Sequence, residues 1–330
     1  MAILISGGAG YIGSHTVAEL LAAGEEAVVV DDLSQGHRAA VAGARLYELD
    51  IRESGRVRAV IRDHRVDTVI HFAARTLVGE SVQQPLEYYD ANVVATQRLL
   101  AAAAAEGVRR FVFSSSAAVY GEPERVPIPE DHPARPTNPY GETKLAVERM
   151  LRWCDAAYGL KSVSLRYFNA AGAHPERAIG EDHHPESHLI PIILQALLGR
   201  RGAVSIFGSD YPTPDGTCVR DYVHVMDLAA AHRLAVEYLR AGGGTAAFNL
   251  GNGAGFSVRQ VIAAVERVTG GRVPVEAGPR RAGDPAVLVA SSGRVREALG
   301  WQPQYANLDA IVATAWEWHR AHPDGFGDRG

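Results

Sequence analysis

Short apolar runs alternate with longer, mixed stretches through the first half of the chain. AILIS, EAVVVD, DTVIHFA, RFVFSSS and SVSLRYFN are rich in Val, Ile or Phe, and each is short enough to be a strand buried on both faces. Between them lie Ala- and Leu-rich segments such as SHTVAELLAAG and NVVATQRLLAAAAAEG, which close on glycine as a helix C-cap does. Strand and helix in alternation predict an α/β fold with a doubly wound parallel sheet.

The alternation weakens after Asn169. Residues 170–220 are rich in Pro, Gly and His, with one helix-like run, IPIILQALLG. Residues 221–241 return to strand and helix. From 246 come a strand, the helix SVRQVIAAVERVTG, the strand VPVEA and the helix LDAIVATAWEWHRAH. The expected organisation is a nucleotide-binding lobe over 1–169, to which 221–250 returns, and a smaller C-terminal α/β lobe from 170–220 and 251–330. The tail PDGFGDRG is expected to fray. A net charge of −5 over 330 residues, with no basic run, gives nucleic acid no footing. No apolar stretch reaches membrane-spanning length, and MAILISGGAG lacks the basic start of a signal peptide. Cys154 and Cys218 are too few for a disulfide framework, so a cytoplasmic location is expected.

GGAGYIGSH follows the first strand and opens a helix. Gly8, Gly10 and Gly13 fit G-x-G-x-x-G, and Gly7, Gly10 and Gly13 fit the wider G-x-x-G-x-x-G. Either spacing lets backbone approach a pyrophosphate at a helix N-terminus. The next strand ends in Asp31, placed to accept from a ribose 2′-hydroxyl and to repel a 2′-phosphate. The sequence therefore predicts a Rossmann-type lobe that binds NAD rather than NADP.

Among 33 Lys and Arg residues, Lys stands only at 144 and 161. Lys144 lies in NPYGETKLAVE, four residues after Tyr140, behind a capping Asn138 and a first-turn Pro139. A tyrosine has a pKa of about 10. A nearby ammonium is expected to lower it, while its compact head serves the nicotinamide ribose better than a guanidinium would. Ser114, Ser115 and Ser116 close the fourth long strand, where open α/β sheets bind ligands.

A serine at a strand end, then Y-x-x-x-K on a helix, behind a glycine loop, resembles the extended short-chain dehydrogenase/reductase superfamily. HFAA, FSSSAAVYGE, NPYGETKLAVE, LRYFNAAGAHP, HLIPIILQ, DGTCVRDYVHVMDLA and RRAGDPA together resemble the UDP-glucose 4-epimerase family over nearly the whole chain. The resemblance implies C4 epimerisation of a UDP-hexose, UDP-galactose to UDP-glucose, with tightly bound NAD that is not consumed. It assigns Ser116, Tyr140 and Lys144 to catalysis. Gly7, Gly10, Tyr11, Ile12, Gly13, Asp31, Asp50, Ile51, Phe72, Ala73, Ala74, Asn92 and Tyr167, with Tyr140 and Lys144, would line the NAD site. Asn169, His188, Leu189, Phe207, Arg220, Arg281 and Asp284, with Ser116, would hold the UDP-sugar. A homodimer is implied, pairing the helices of PLEYYDANVVATQRLLAAAAAEG and NPYGETKLAVERMLRWCDAAYG, with the alanine run 101–105 allowing close approach.

The chain departs from the family pattern at Ala118, where Thr is common, at Thr76, where Lys is frequent, and at Leu288, where some members place a Tyr that closes the sugar pocket. A smaller residue at 288 would admit an N-acetyl group. UDP-pentose and UDP-uronate epimerases are further alternatives. A dehydratase would need an Asp-Glu pair where this chain has Ala117 and Ala118, and a non-catalytic NAD-binding regulator would be expected to lack the Tyr or the Lys. EDHHPESH offers Asp182, His183, His184 and His188 to a metal, but adjacent histidines point apart on regular structure, so no metal is expected.

Overall fold

The computed structural model describes residues 1–281 and 284–328. Its strands are β1 (Ile3–Ser6), β2 (Ala27–Asp31), β3 (Arg45–Glu48), β4 (Thr68–His71), β5 (Arg110–Ser114), β6 (Lys161–Tyr167), β7 (Asn169–Ala171), β8 (Val204–Phe207), β9 (Val219–Arg220), β10 (Tyr222–His224), β11 (Ala246–Leu250), β12 (Phe256–Ser257), β13 (Val275–Gly278) and β14 (Val287–Leu288). Seven of them form one parallel sheet in the order β3-β2-β1-β4-β5-β6-β11. The order reverses between β1 and β4, which opens a crevice beyond their carboxyl ends. The doubly wound sheet is thus as the apolar runs predict, and β11 lies beside β6 in it.

The helices are α1 (Tyr11–Ala22), α2 (Ser54–Asp63), α3 (Val78–Gln83), α4 (Pro85–Tyr89), α5 (Ala95–Ala105), α6 (Pro139–Tyr158), α7 (Leu189–Leu197), α8 (Val225–Arg240), α9 (Val258–Thr269), α10 (Gly293–Leu299) and α11 (Leu308–Ala321). The strand period of two explains why both sheet faces are dry. Ile3 and Ile5 pack with α1 and α8, while Ala2 and Leu4 pack with α2, α5 and α6. A separate core joins α7, α9 and α11 to β8. Three small sheets, β10-β7, β12-β9-β14 and β13-β8, complete that side. Val295, Leu299 and Trp301, expected with the second lobe, pack instead into the core of the first, and Trp301 donates to the Asp227 carbonyl at 2.8 Å.

Of the alanine run 101–105, Ala102 and Ala103 are buried in the monomer's own core, while Ala101 and Ala105 are exposed. One expectation fails: the tail does not fray through Asp328. Phe326 stacks on His37 with ring centroids 4.5 Å apart, and His37 Nδ1 meets Asp328 at 2.6 Å. Arg329 and Gly330 of that tail, and Ala282 and Gly283 of RRAGDPA, lie outside the described residues. Among the described residues no helix is long and apolar enough to cross a membrane.

Candidate active site

The glycine loop is packed closely at three of its four glycines, Gly8 among them, where a Cβ would sit 2.9 Å from Val29 Cγ1. Gly7 has φ +71° and lies so close to the loop after β4 that a Cβ would sit 2.4 Å from the Ala73 nitrogen. A Cβ at Gly13 would sit 2.2 Å from the Gly7 carbonyl oxygen. These two glycines press the loop onto its neighbours. Gly10, the N-cap of α1, is different: a Cβ there would meet only the Gly7 oxygen, at 3.5 Å, so the helix N-terminus is left open. Asp31 Oδ2 accepts from the Ala9 amide and Oδ1 from the Leu33 amide, both at 2.9 Å. Each oxygen keeps a lone pair for a ribose hydroxyl. This cradle fits a dinucleotide with a free 2′-hydroxyl.

The remaining predicted cofactor residues surround the crevice. Phe72, Ala73 and Ala74 follow β4, and the amides of Phe72 and Ala73 donate to the Ser6 carbonyl. Ile51 is buried, and beside it the Asp50 carboxyl is held below its ordinary pKa by its bonds to Arg52. Ile12 packs against the core and Tyr11 donates to the Gly172 carbonyl at 2.6 Å, tying α1 to the loop after β7. Asn92 lies on a π turn, Asp90–Val94. Its amide bonds both the N–H and the carbonyl of Arg75 and also Thr143 Oγ1, so it clamps the loop after β4 to α6. The expected place beside the cofactor is thus filled by a positioning residue.

The catalytic candidates sit over the ends of β5 and β6. Asn138 caps α6 through Gly141 at 2.9 Å, with Pro139 in the first turn, and so directs Tyr140 and Lys144 to one side. Lys144 Nζ lies 5.8 Å from the Tyr140 ring centroid and donates to the Ser114 carbonyl at 2.9 Å. The three serines divide the work. Ser114 Oγ bonds the Tyr167 hydroxyl, and Ser115 Oγ donates to Glu148 Oε1 at 2.6 Å. Only Ser116 faces Tyr140, where its hydroxyl favours the phenolate. Beneath them Glu148 and Arg166 form a buried bidentate pair, 2.5 and 2.9 Å, extended by Tyr120 to Asn249 of β11. Removing one partner of such a pair costs about 3–5 kcal/mol, so the network fixes the floor of the site.

The protein's own electrostatics correct one expectation. Burial pushes the Tyr140 hydroxyl above its usual pKa, and Ser116 offsets only part of this. Burial also pulls Lys144 down to about 7, against a raising contribution from Glu148. Burial thus drives the two pKa values apart, the tyrosine upward and the lysine downward, and the ammonium does not by itself acidify the tyrosine.

The sugar-side residues fall into two groups. Asn169, His188, Leu189 and Tyr222 line one small cavity. Arg220 bonds Asp284, and the Arg281 guanidinium lies 4.0 Å over the Phe207 ring. Leu288 is aligned with Arg220 across β14 and β9 and packs against the cluster of Ala117, Val119 and Leu145, next to Ser116. His188 Nδ1 lies 2.6 Å from Glu181 Oε1 without the geometry of a hydrogen bond.

Residues 3–251 match the model of the NAD dependent epimerase/dehydratase family. The chain belongs to that family. A UDP-glucose 4-epimerase of Halalkalibacterium halodurans is 57% identical over 326 residues, covering 99% of this chain and 98% of that protein. A crystal structure of a UDP-glucose 4-epimerase superposes with a TM-score of 0.97 at 50% identity, covering 99% of both chains. The UDP-glucose 4-epimerase of Brucella ovis in complex with NAD gives 0.94 at 48% identity, covering 96% of this chain and 97% of that one. As a member of the family the chain is an enzyme that works with NAD.

Sequence reasoning missed the supporting residues Glu148, Arg166 and Tyr120, and also Glu181 and Glu186. For the first three the signal was weak. A Glu eight residues after Tyr140 and an Arg inside a buried strand imply a pair, but not which groups it supports.

Proposed function

We propose that the chain interconverts UDP-galactose and UDP-glucose by epimerisation at C4. The observation that carries this reading is the convergence of Ser116, Tyr140 and Lys144 above a glycine cradle suited to NAD. Bound NAD supplies reversible hydride storage. Tyr140 takes the proton of the C4 hydroxyl as the 4-keto sugar forms and gives it back when the opposite face is reduced. Ser116 steadies the sugar oxygen and the phenolate. Lys144, held on the Ser114 carbonyl, lies in reach of the ribose hydroxyls. Arg220 and Arg281 suit a diphosphate, Asp284 a ribose diol and Phe207 the face of a uracil, with Asn169, Leu189 and His188 around the sugar. Residues 1–169 with 221–250 act as the cofactor lobe, and 170–220 with 251–330 as the UDP-sugar lobe, except that Val295, Leu299 and Trp301 pack with the cofactor lobe.

A second reading rests on Leu288, which packs against the cluster of Ala117 and, being smaller than a tyrosine, would admit an N-acetyl group. One experiment addresses both. The purified protein is given UDP-galactose or UDP-N-acetylgalactosamine without added NAD, and products are separated by chromatography. Conversion of the first to UDP-glucose is expected, and no conversion of either would overturn the proposal. Leu288→Tyr is expected to abolish turnover of the N-acetyl substrate while leaving UDP-galactose turnover within about threefold, since one pocket group discriminates by about 10–200-fold.

The enzyme is proposed to be a cytoplasmic homodimer. Leu86 is 82% and Trp153 76% exposed; Tyr89 and Val94, near Leu86 in sequence, are exposed too, and the helices that carry them pack against that of Trp153. Light scattering on the purified chain would reveal a monomer if that face stays open.

A further inference from the structure

We propose that Glu181, His183, Glu186 and His188 form a binding site for one divalent transition metal ion, zinc foremost, which clips the loop before α7 in place. It stands independently of the substrate reading. One ligand atom from each residue falls in a group whose members all lie within 4.8 Å of one another. Adjacent His183 and His184 do diverge, as expected, since His184 turns toward Asp182 at 3.5 Å. The site arises instead from two pairs spaced by two, 181 with 183 and 186 with 188. Residues so spaced share a side of an extended chain.

Three observations favour an ion over a simple ion-pair cluster. Glu181 is 3% exposed, yet its Oε1 has no hydrogen-bond partner; neither do His183 Nδ1 and His188 Nδ1. His183 Nδ1 and His188 Nδ1 lie 3.3 and 2.6 Å from Glu181 Oε1, but not in hydrogen-bonding geometry. The Nδ1 atoms of His188 and His183 also lie 3.4 and 3.7 Å from the two carboxylate oxygens of Glu186, so each imidazole faces both carboxylates. Finally, two imidazoles and two carboxylates make a dication complex neutral. Two nitrogen and two oxygen donors suit zinc and its neighbours over magnesium or calcium, which want six or more oxygens.

The surroundings already hold the ligands. Glu186 Oε1 accepts the amides of Ser187 and His188 at 2.7 and 2.8 Å. The Glu181 carbonyl accepts from Trp318 Nε1 at 3.1 Å, and Asp182 accepts from the Phe326 amide at 3.0 Å. The His183 ring stands edge-on to Tyr11, 6.0 Å between centroids. A closed set of four protein ligands makes a structural site. The ion would therefore brace the His188–Leu189 wall of the sugar cavity against the cofactor helix α1.

The test uses full-length holoenzyme without a polyhistidine tag. Elemental analysis after zinc reconstitution and gel filtration is expected to give about one zinc per chain. On chelator-treated protein, zinc should raise the thermal midpoint by about 5 °C, and cobalt(II) should give the visible absorption of a tetrahedral site. His183→Ala/His188→Ala and the milder Glu186→Gln should lose the cobalt band and the thermal shift while keeping a wild-type circular dichroism spectrum. Zinc below about 0.1 per chain after reconstitution would overturn the proposal, as would a cobalt spectrum or thermal shift unchanged in the folded variants.

Discussion

His71 and His188 carry the same imidazole into opposite environments. His71 ends β4 under the catalytic groove, between Ser6 Oγ and Thr96 Oγ1 at 2.7 Å each. Burial, aided by Lys144, drives its pKa down to about 3. At His188 burial pulls the same way, but Glu181 and Glu186 outweigh it and raise the ring to about 10. The contrast extends to their regions. The groove at the sheet ends is held by packing and neutral hydrogen bonds, with the buried ion pair Glu148–Arg166 beneath the floor. The sugar side is held by charge: Arg220 on Asp284, Arg280 on Asp210, His188 on Glu181. Packing fixes where an atom sits, which chemistry needs. Charge partners can be exchanged for a ligand's, which binding needs.

If that division is right, substitutions in the two regions should fail differently. Tyr140→Phe should lower kcat by about 10²–10⁴-fold, the usual worth of a general base, without loss of bound NAD. Steady-state kinetics and the absorbance of the bound cofactor check this, and a variant keeping more than about a tenth of wild-type kcat would remove Tyr140 from the proton transfer. Arg220→Gln should instead raise KM for the UDP-sugar by about 10–100-fold, the worth of a charge-assisted hydrogen bond, with little change in kcat. A fall in kcat as large as the rise in KM would mean that the sugar side also positions the reacting centre.

The same division explains what could be read from the sequence. The sheet was legible because its strands are buried on both faces and therefore written as unbroken apolar runs, as in AILIS and EAVVVD. Gly7 and Gly13 were legible because no other residue fits where they pass backbone. Tyr140 and Lys144 were legible from helical spacing and a rare lysine. The protonation of that pair was not, because it depends on burial, which the local sequence does not record. On the sugar side, pairs such as Arg220 with Asp284 join residues 64 apart through loops that have no periodicity. Glu181 and Glu186 were not legible as ligands, because only the folded loop brings them together with His183 and His188.

The smallest expected effect sharpens the neutral side of the comparison. His232 is fully buried on α8, its Nδ1 facing the Leu228 carbonyl at 2.8 Å and its Nε2 without a partner. Burial lowers its pKa to about 4, against a small raising effect from that carbonyl. Its folded pKa lies below its unfolded value of 6.5, so unfolding takes up a proton between those values. The stability it leaves intact is present above pH 6.5 and is lost as the pH falls toward 4. His232→Leu forfeits only the local Nδ1 contact, and it removes this proton uptake. Relative to wild type, the variant should gain about 2 kcal/mol on going from pH 7 to pH 5, read from urea unfolding at both. A difference between variant and wild type that does not change with pH would mean that His232 is already protonated in the fold, and that packing alone does not keep this half of the molecule neutral.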